Sequence, residues 1–209
     1  MLKKVVSLVL VILMLASFTA CEFTLPMQKP AEPAEKTFET GKITSNSYES
    51  EFLGIGCRLE SPWVFKTEEE MMETNKESLA LVGDDYANAI KNAKIVYEMM
   101  ATKGNGDSIN INLEKVSADV SAKTYLSLSM SSVKTALSNI GLKNINAETG
   151  TTQFIGREFD CIFINGKING VMLYEVLVAM RVGDYMANIT IGSVVDNNCS
   201  QYLSCFYAL

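Results

Sequence analysis

The chain has 209 residues, of which 48% are hydrophobic and 20% charged, with four prolines and a formal net charge of −6. That length and mixture suit one globular domain with a sizeable core, not a disordered or low-complexity chain. The acidic balance disfavours nucleic acid and anionic lipid as partners, and the absence of histidine removes Ser-His-Asp and Cys-His nucleophiles, imidazole zinc sites and imidazole proton shuttles.

Lys3 and Lys4 open the chain, an apolar run from Val5 to Ala16 follows, and the small residues Thr19 and Ala20 precede Cys21. A positive start, an apolar centre and a small-residue end are the three parts of an export signal. A cysteine directly after them resembles the lipobox of bacterial lipoproteins, with Phe18 standing where Leu is usual. The resemblance implies cleavage before Cys21, a diacylglyceryl group on Cys21, and a protein held at the extracytoplasmic face of the cell membrane. Two acyl chains suffice for stable anchoring. An uncleaved span is one competing reading, for which the apolar run is short of the ~20 residues a span needs, and an ordinary secretory signal with a coincidental cysteine is the other. Loss of Lys3 and Lys4 with the signal takes the net charge from −6 to −8.

Residues 1–20 therefore read as a signal peptide. Residues 21–36, with Pro26, Pro30 and Pro33, read as an extended linker, and residues 37–209 as a single domain. Residues 37–44 suggest a first exposed strand. Residues 48–52 and 55–59 suggest two more, joined around Leu53-Gly54, and Pro62-Trp63 closes the second because proline cannot donate to a ladder. Thr67-Glu68-Glu69-Glu70 is a capping-box start to a helix. Gly83-Asp84-Asp85 breaks the chain before a second short helix at 85–93. Residues 95–102, the turn Gly104-Asn105-Gly106-Asp107 and residues 108–116 predict a hairpin. Its second strand alternates Ile109, Ile111 and Leu113 with Asn110, Asn112 and Glu114, which predicts the aliphatics inward and the asparagines outward.

Residues 122–140 carry Leu126, Met130, Val133, Leu137 and Ile140 at steps of four and three, the apolar stripe of a helix lying on a sheet. Ser121 is its expected N-cap and Gly141 its stop. Residues 144–148, 153–155, 158–164, 171–182 and 185–193 read as successive strands. Turns are expected at Gly150, Gly156, Asn165-Gly166, Asn169-Gly170 and Gly183-Asp184. Residues 195–209 read as a closing helix.

Candidate chemistry is sparse. Cys57, Cys161, Cys199 and Cys205 permit three full pairings among which the sequence does not choose, and Cys57 and Cys161 lie in apolar strand-like segments that suit buried thiols. The spacing of a zinc ribbon or a thioredoxin motif is missing. Ser131-Ser132-Val133-Lys134 has the Ser-x-x-Lys spacing but falls on the polar helix face. Glu68–Glu70, Asp84-Asp85 and Asn105-Gly106-Asp107 offer oxygens to a hard cation without the ligand spacing of a calcium loop. Gly54-x-Gly56 lacks the third glycine and the helix of a dinucleotide site. Trp63, the only tryptophan, suits a core anchor better than a groove, and Met71, Met72, Met99 and Met100 suit core packing.

Tyr48–Leu59 followed by Pro62-Trp63-Val64-Phe65 resembles a pattern in small exported bacterial proteins: Tyr-x-Asn-x-x-Gly, alternating apolar residues, then Pro-x-x-Trp. Ser50 stands where Asn is common and Cys57 where Phe is common. With Val96–Ala101, Asn110-Ile111-Asn112 and Gly183-Asp184-Tyr185, residues 48–209 resemble the PsbP/Mog1-like domains of lipoproteins from Clostridia-type bacteria. The resemblance implies an α/β/α sandwich and an accessory role, and carries no catalytic residues. Independently, strands in succession with helices inserted early and late argue for an α+β fold, an antiparallel sheet with helices packed on its faces.

The expected function is a membrane-anchored extracytoplasmic binding or scaffold module, non-enzymatic and without a cofactor. Its expected partners are the membrane, through Cys21, and an envelope protein, with no nucleic acid. A carboxylate-based envelope hydrolase and a solute-binding lipoprotein are the alternatives.

Overall fold

The computed structural model describes residues 39–73, 96–104, 106–116 and 120–209. The expected signal, Cys21, the expected linker and the helix expected at 85–93 lie outside the described residues. Eleven strands form two antiparallel sheets among them. The smaller contains β1 (Lys42–Ile43), β2 (Ser47–Ser50), β3 (Ile55–Arg58) and β11 (Phe206–Ala208), hydrogen-bonded in that order. The larger contains β4 (Trp63–Phe65), β5 (Val96–Lys103), β6 (Asp107–Lys115), β7 (Lys143–Phe154), β8 (Arg157–Ile168), β9 (Val171–Val182) and β10 (Tyr185–Ser193). Its spatial order is β4-β5-β6-β10-β9-β8-β7.

One face of the larger sheet carries helix α1 (Ala122–Asn139). Tyr125, Leu126, Val133 and Leu137 bury there against Ile162, Ile164, Leu173 and Leu177. The ends of α1 obey the sequence signals. The Ser121 hydroxyl accepts from the Thr124 amide at 3.2 Å. Gly141, at φ +94°, completes a paired stop in which its amide reaches Ser138 O and the Leu142 amide reaches Leu137 O. The other face carries the smaller sheet. Tyr48, Phe52, Ile55, Cys57 and Phe206 pack there on Ile109, Ile111, Leu113, Val176, Val178, Ile189 and Ile191. The expected helix-sheet-helix sandwich is thus corrected on this side, where a second sheet fills the layer. Among the described residues the architecture is β-dominated.

Three local expectations also change. Asn110 and Asn112 are buried, because β6 is an inner strand whose second face is also covered. Gly150 and Asn165-Gly166 are not turns: they lie inside β7 and β8, with the Phe163 ring over Gly150 and Leu142 over Gly166. The closing segment forms a 3-10 turn (Cys199–Cys205) and then β11, which pairs with β3, in place of a helix.

Other signals hold. Thr67 and Glu70 form both halves of the capping box at 3.2 and 2.9 Å, at the start of the helical residues 68–73. The β9–β10 hairpin turns at Gly183-Asp184. Cys57, Cys161, Cys199 and Cys205 are free thiols. Among the described residues no helix is long and apolar enough to cross a membrane.

Candidate binding groove

Antiparallel register places a row of residues across one end of the larger sheet. Trp63 on β4 is opposite Lys103 on β5, Lys103 opposite Asp107 on β6, and Asp107 opposite Ser193 on β10. Opposed residues share a face and stand close enough to interact. The row faces the smaller sheet, and the 3-10 turn lays Tyr202 over it.

Asp107 is 1% exposed and organises the cluster. Its Oδ1 accepts from the Ser193 hydroxyl at 2.6 Å, and its Oδ2 accepts from the Tyr202 hydroxyl at 2.7 Å. Lys103 Nζ lies 3.6 Å from the same Oδ2 and donates to the Tyr202 oxygen at 3.3 Å. The ammonium also sits 5.9 Å from the Trp63 ring centroid and 5.3 Å from that of Tyr202, and the two rings meet edge to face at 5.1 Å. The contact with Tyr202, reinforced by Asp107, raises the Lys103 pKa and keeps it charged. Burial and the Asp107 hydrogen bond raise that of Tyr202.

Above this support lies an open groove of about 540 Å³ where the two sheets meet. Trp63, Pro62, Lys103, Tyr202, Arg58 and Tyr207 line it, together with Glu60, Ser61, Ser204 and Cys205. Tyr207 points to the outer face of the smaller sheet, opposite Gly56. Its ring lies flat on that glycine: a Cβ at position 56 would fall 2.4 Å from Tyr207 Cζ. The hydroxyl reaches across to donate to Glu49 Oε1 on β2 at 2.7 Å. One ring face is therefore seated on backbone and the other is presented outward. Gly56→Ala is expected to lift the ring, at a cost of ~1–3 kcal/mol for overpacking. Urea unfolding would show it, and Tyr207→Ala in the same chain should recover the loss by clearing the space.

Ser193, Asp107 and Lys103 are not arranged as a nucleophile with its base. The Ser193 hydroxyl is buried, donates to Asp107 and accepts from the amides of Val195 at 3.0 Å and Asp196 at 2.8 Å. Lys103 is held as a cation on the far side of Asp107, so it is placed as a charge and not as a base for Ser193.

Of the residues singled out in the sequence, Trp63 lines the groove, only partly buried, and Asp107 underlies it. Gly56 serves as the seat of Tyr207. Ser131 is exposed on the outer face of α1 with Lys134 half-buried nearby. Glu70 is used in the capping box, and Met71, Met99 and Met100 are buried whereas Met72 is exposed. Asp84, Asp85 and Asn105 lie outside the described residues. Among the described residues no three His, Cys, Asp or Glu side chains gather to hold a metal. Lys103, Ser193, Tyr202 and Tyr207 were not legible as a site. The sequence places Asp107 in the hairpin turn, whereas the structure tightens that turn so that Asp107 opens β6 opposite Lys103.

No family model matches the chain, and no curated protein matches it. A solved structure of LpqN, involved in cell envelope biogenesis of Mycobacterium tuberculosis, aligns with 72% of this chain and 76% of its own. The identity is 8% and the TM-score 0.39, a likeness too slight to bear on fold or function.

Proposed function

We propose that the protein is a lipid-anchored, extracytoplasmic binding module, non-enzymatic, that holds an aromatic groove clear of the membrane for a component of the cell envelope. The observation that supports binding most directly is the fixed groove wall: one buried carboxylate, Asp107, holds both Tyr202 and Lys103 in place. Rings and charges that are ordered in advance lose little freedom when a ligand arrives. The lipobox-like Thr19-Ala20-Cys21 supports the anchor, and the proline-bearing linker after it supplies reach. The resemblance of residues 48–209 to PsbP/Mog1-like domains supports an accessory role. A carboxylate hydrolase is the weaker reading, because it needs two carboxylates at the bond to be cut, and of the two here Glu60 lines the groove while Asp107 is committed beneath it.

The anchor is tested in a bacterial host that processes lipoproteins. The wild-type chain should incorporate a fatty-acid label and partition into detergent. Cys21→Ala should take up no label and appear in the aqueous phase. Equal partitioning of the two, with no label in the wild type, would overturn the proposal.

A further inference from the structure

The groove's lining also indicates what class of ligand fits it. Tyr207 presents a flat ring face, Trp63 and Tyr202 provide a second aromatic wall, and Pro62 adds a rigid apolar edge. Between them stand groups of both hydrogen-bonding senses: Arg58 and Lys103 donate, Glu60 accepts, and Ser61 and Ser204 do either. The charges balance, since Arg58 and Lys103 are offset by Glu60 in the groove and Asp107 beneath it. Such a balanced site offers a phosphate or an acidic chain little net charge attraction. An acyl chain would strand the charged and hydroxyl groups without partners.

A pyranose with equatorial substituents meets each of these features. Its axial C–H bonds form a flat apolar face that stacks on an aromatic ring, while its rim carries hydroxyls that both donate and accept. We propose that the groove binds a short β-linked saccharide, one ring stacked on Tyr207 and the chain running toward Trp63. The volume of about 540 Å³ lies within the range of small-ligand clefts and admits a short oligosaccharide. This inference rests on the binding-module reading and narrows it to a ligand class. The other occupant that suits aromatic rings is a proline-rich peptide, whose extended helix also stacks on them. It has less use for the mixed charged and hydroxyl rim.

Trp63 is the sole tryptophan and lies in the groove wall, so its emission reports the site directly. The full chain in mild detergent would be titrated with chitotetraose, with cellotetraose, and with a proline-rich peptide. Chitotetraose or cellotetraose should give a saturable change in emission. Tyr207→Ala should weaken the affinity about tenfold, the order expected when one aromatic contact is lost, with Tyr207→Trp retaining it. Thermal melting of both variants in parallel separates lost binding from lost folding. A saturable response to the peptide and none to either glycan would overturn the saccharide assignment while leaving the binding module standing. Silence toward all three, or glycan binding indifferent to Tyr207→Ala, would also overturn it.

Discussion

Glu175→Gln should abolish most of the fall in stability that the protein shows as pH rises from about 5 to about 8. Glu175 lies on β9 with its side chain buried on the α1 side of the larger sheet, opposite Gly192 of β10, which in turn faces Ser108 of β6. Neither carboxyl oxygen has a hydrogen-bond partner among the described residues. Burial raises its pKa from 4.5 to about 8. The folded chain therefore holds a proton that the unfolded chain releases between those two values. Stability is full below 4.5 and falls until pH passes about 8. At ~1.4 kcal/mol per unit, the loss over that window amounts to several kcal/mol. Gln keeps the shape of the neutral acid and does not titrate, so its urea midpoint should stay nearly level across the range. Parallel pH profiles for wild type and Glu175→Gln would exclude this account. Glu98 acts in the same sense. It is the extra residue of a bulge in β5, and burial raises its pKa although Oε2 accepts from the Gly41 amide and the Tyr48 hydroxyl. Some slope should therefore survive in the variant.

Asp107→Ala should be among the most damaging single changes outside the apolar core. It removes the acceptor of two short hydrogen bonds and the partner of Lys103, leaving the hydroxyl of buried Ser193 without its acceptor. Leaving the buried Ser193 hydroxyl unsatisfied costs ~1–3 kcal/mol, and the partly exposed Lys103 adds little because water screens it. Asp107→Asn keeps an acceptor oxygen and should lose less. The same substitution should blunt the Trp63 response to any groove ligand, because Tyr202 and Lys103 lose their fixed positions. A fall in the urea midpoint with a normal Trp63 titration would mean that Asp107 serves stability alone. An Asp107→Ala protein within ~0.5 kcal/mol of wild type, the usual range of surface substitutions, would refute both roles.

Sequence patterning reached much of the fold. Steps of four and three from Leu126 to Leu137 gave the helix, its cap and its stop. Alternation gave β6, and Asn169-Gly170 and Gly183-Asp184 gave their hairpins. These features are local: a dozen neighbouring residues contain their whole cause. The failures concern elements whose state depends on distant chain. Asn110 and Asn112 read as outward because alternation reports two unlike faces without saying whether the polar one meets water. In the structure Asn188 of β10 lies opposite Asn112, donating to it at 3.4 Å and to the Tyr125 hydroxyl at 3.0 Å. Tyr125 donates in turn to Glu114 at 2.6 Å, so a buried polar network ties α1 to the sheet.

The closing segment failed for the same reason. Tyr202, Leu203, Phe206 and Tyr207 have a spacing compatible with a helix. The backbone after Cys205 extends because β3 offers its free edge, and that edge comes from residues near the start of the domain. This pairing carries Tyr207 onto Gly56 and holds Tyr202 over Asp107, so the groove exists only once the chain has closed on itself.

The sequence by itself determined the local alphabet of the domain: where strands turn, where the helix starts and stops, which side chains are aliphatic enough to be core, and the export-signal pattern ending at Cys21. Only the tertiary structure decided which polar faces are buried, that a second sheet packs on one face of the larger sheet, and that Trp63, Lys103, Asp107, Tyr202 and Tyr207 share a site. Local torsional preference and hydrophobic period act over a few residues and are written consecutively. Strand register and sheet order join residues far apart in the chain, and their energy appears only when those partners meet.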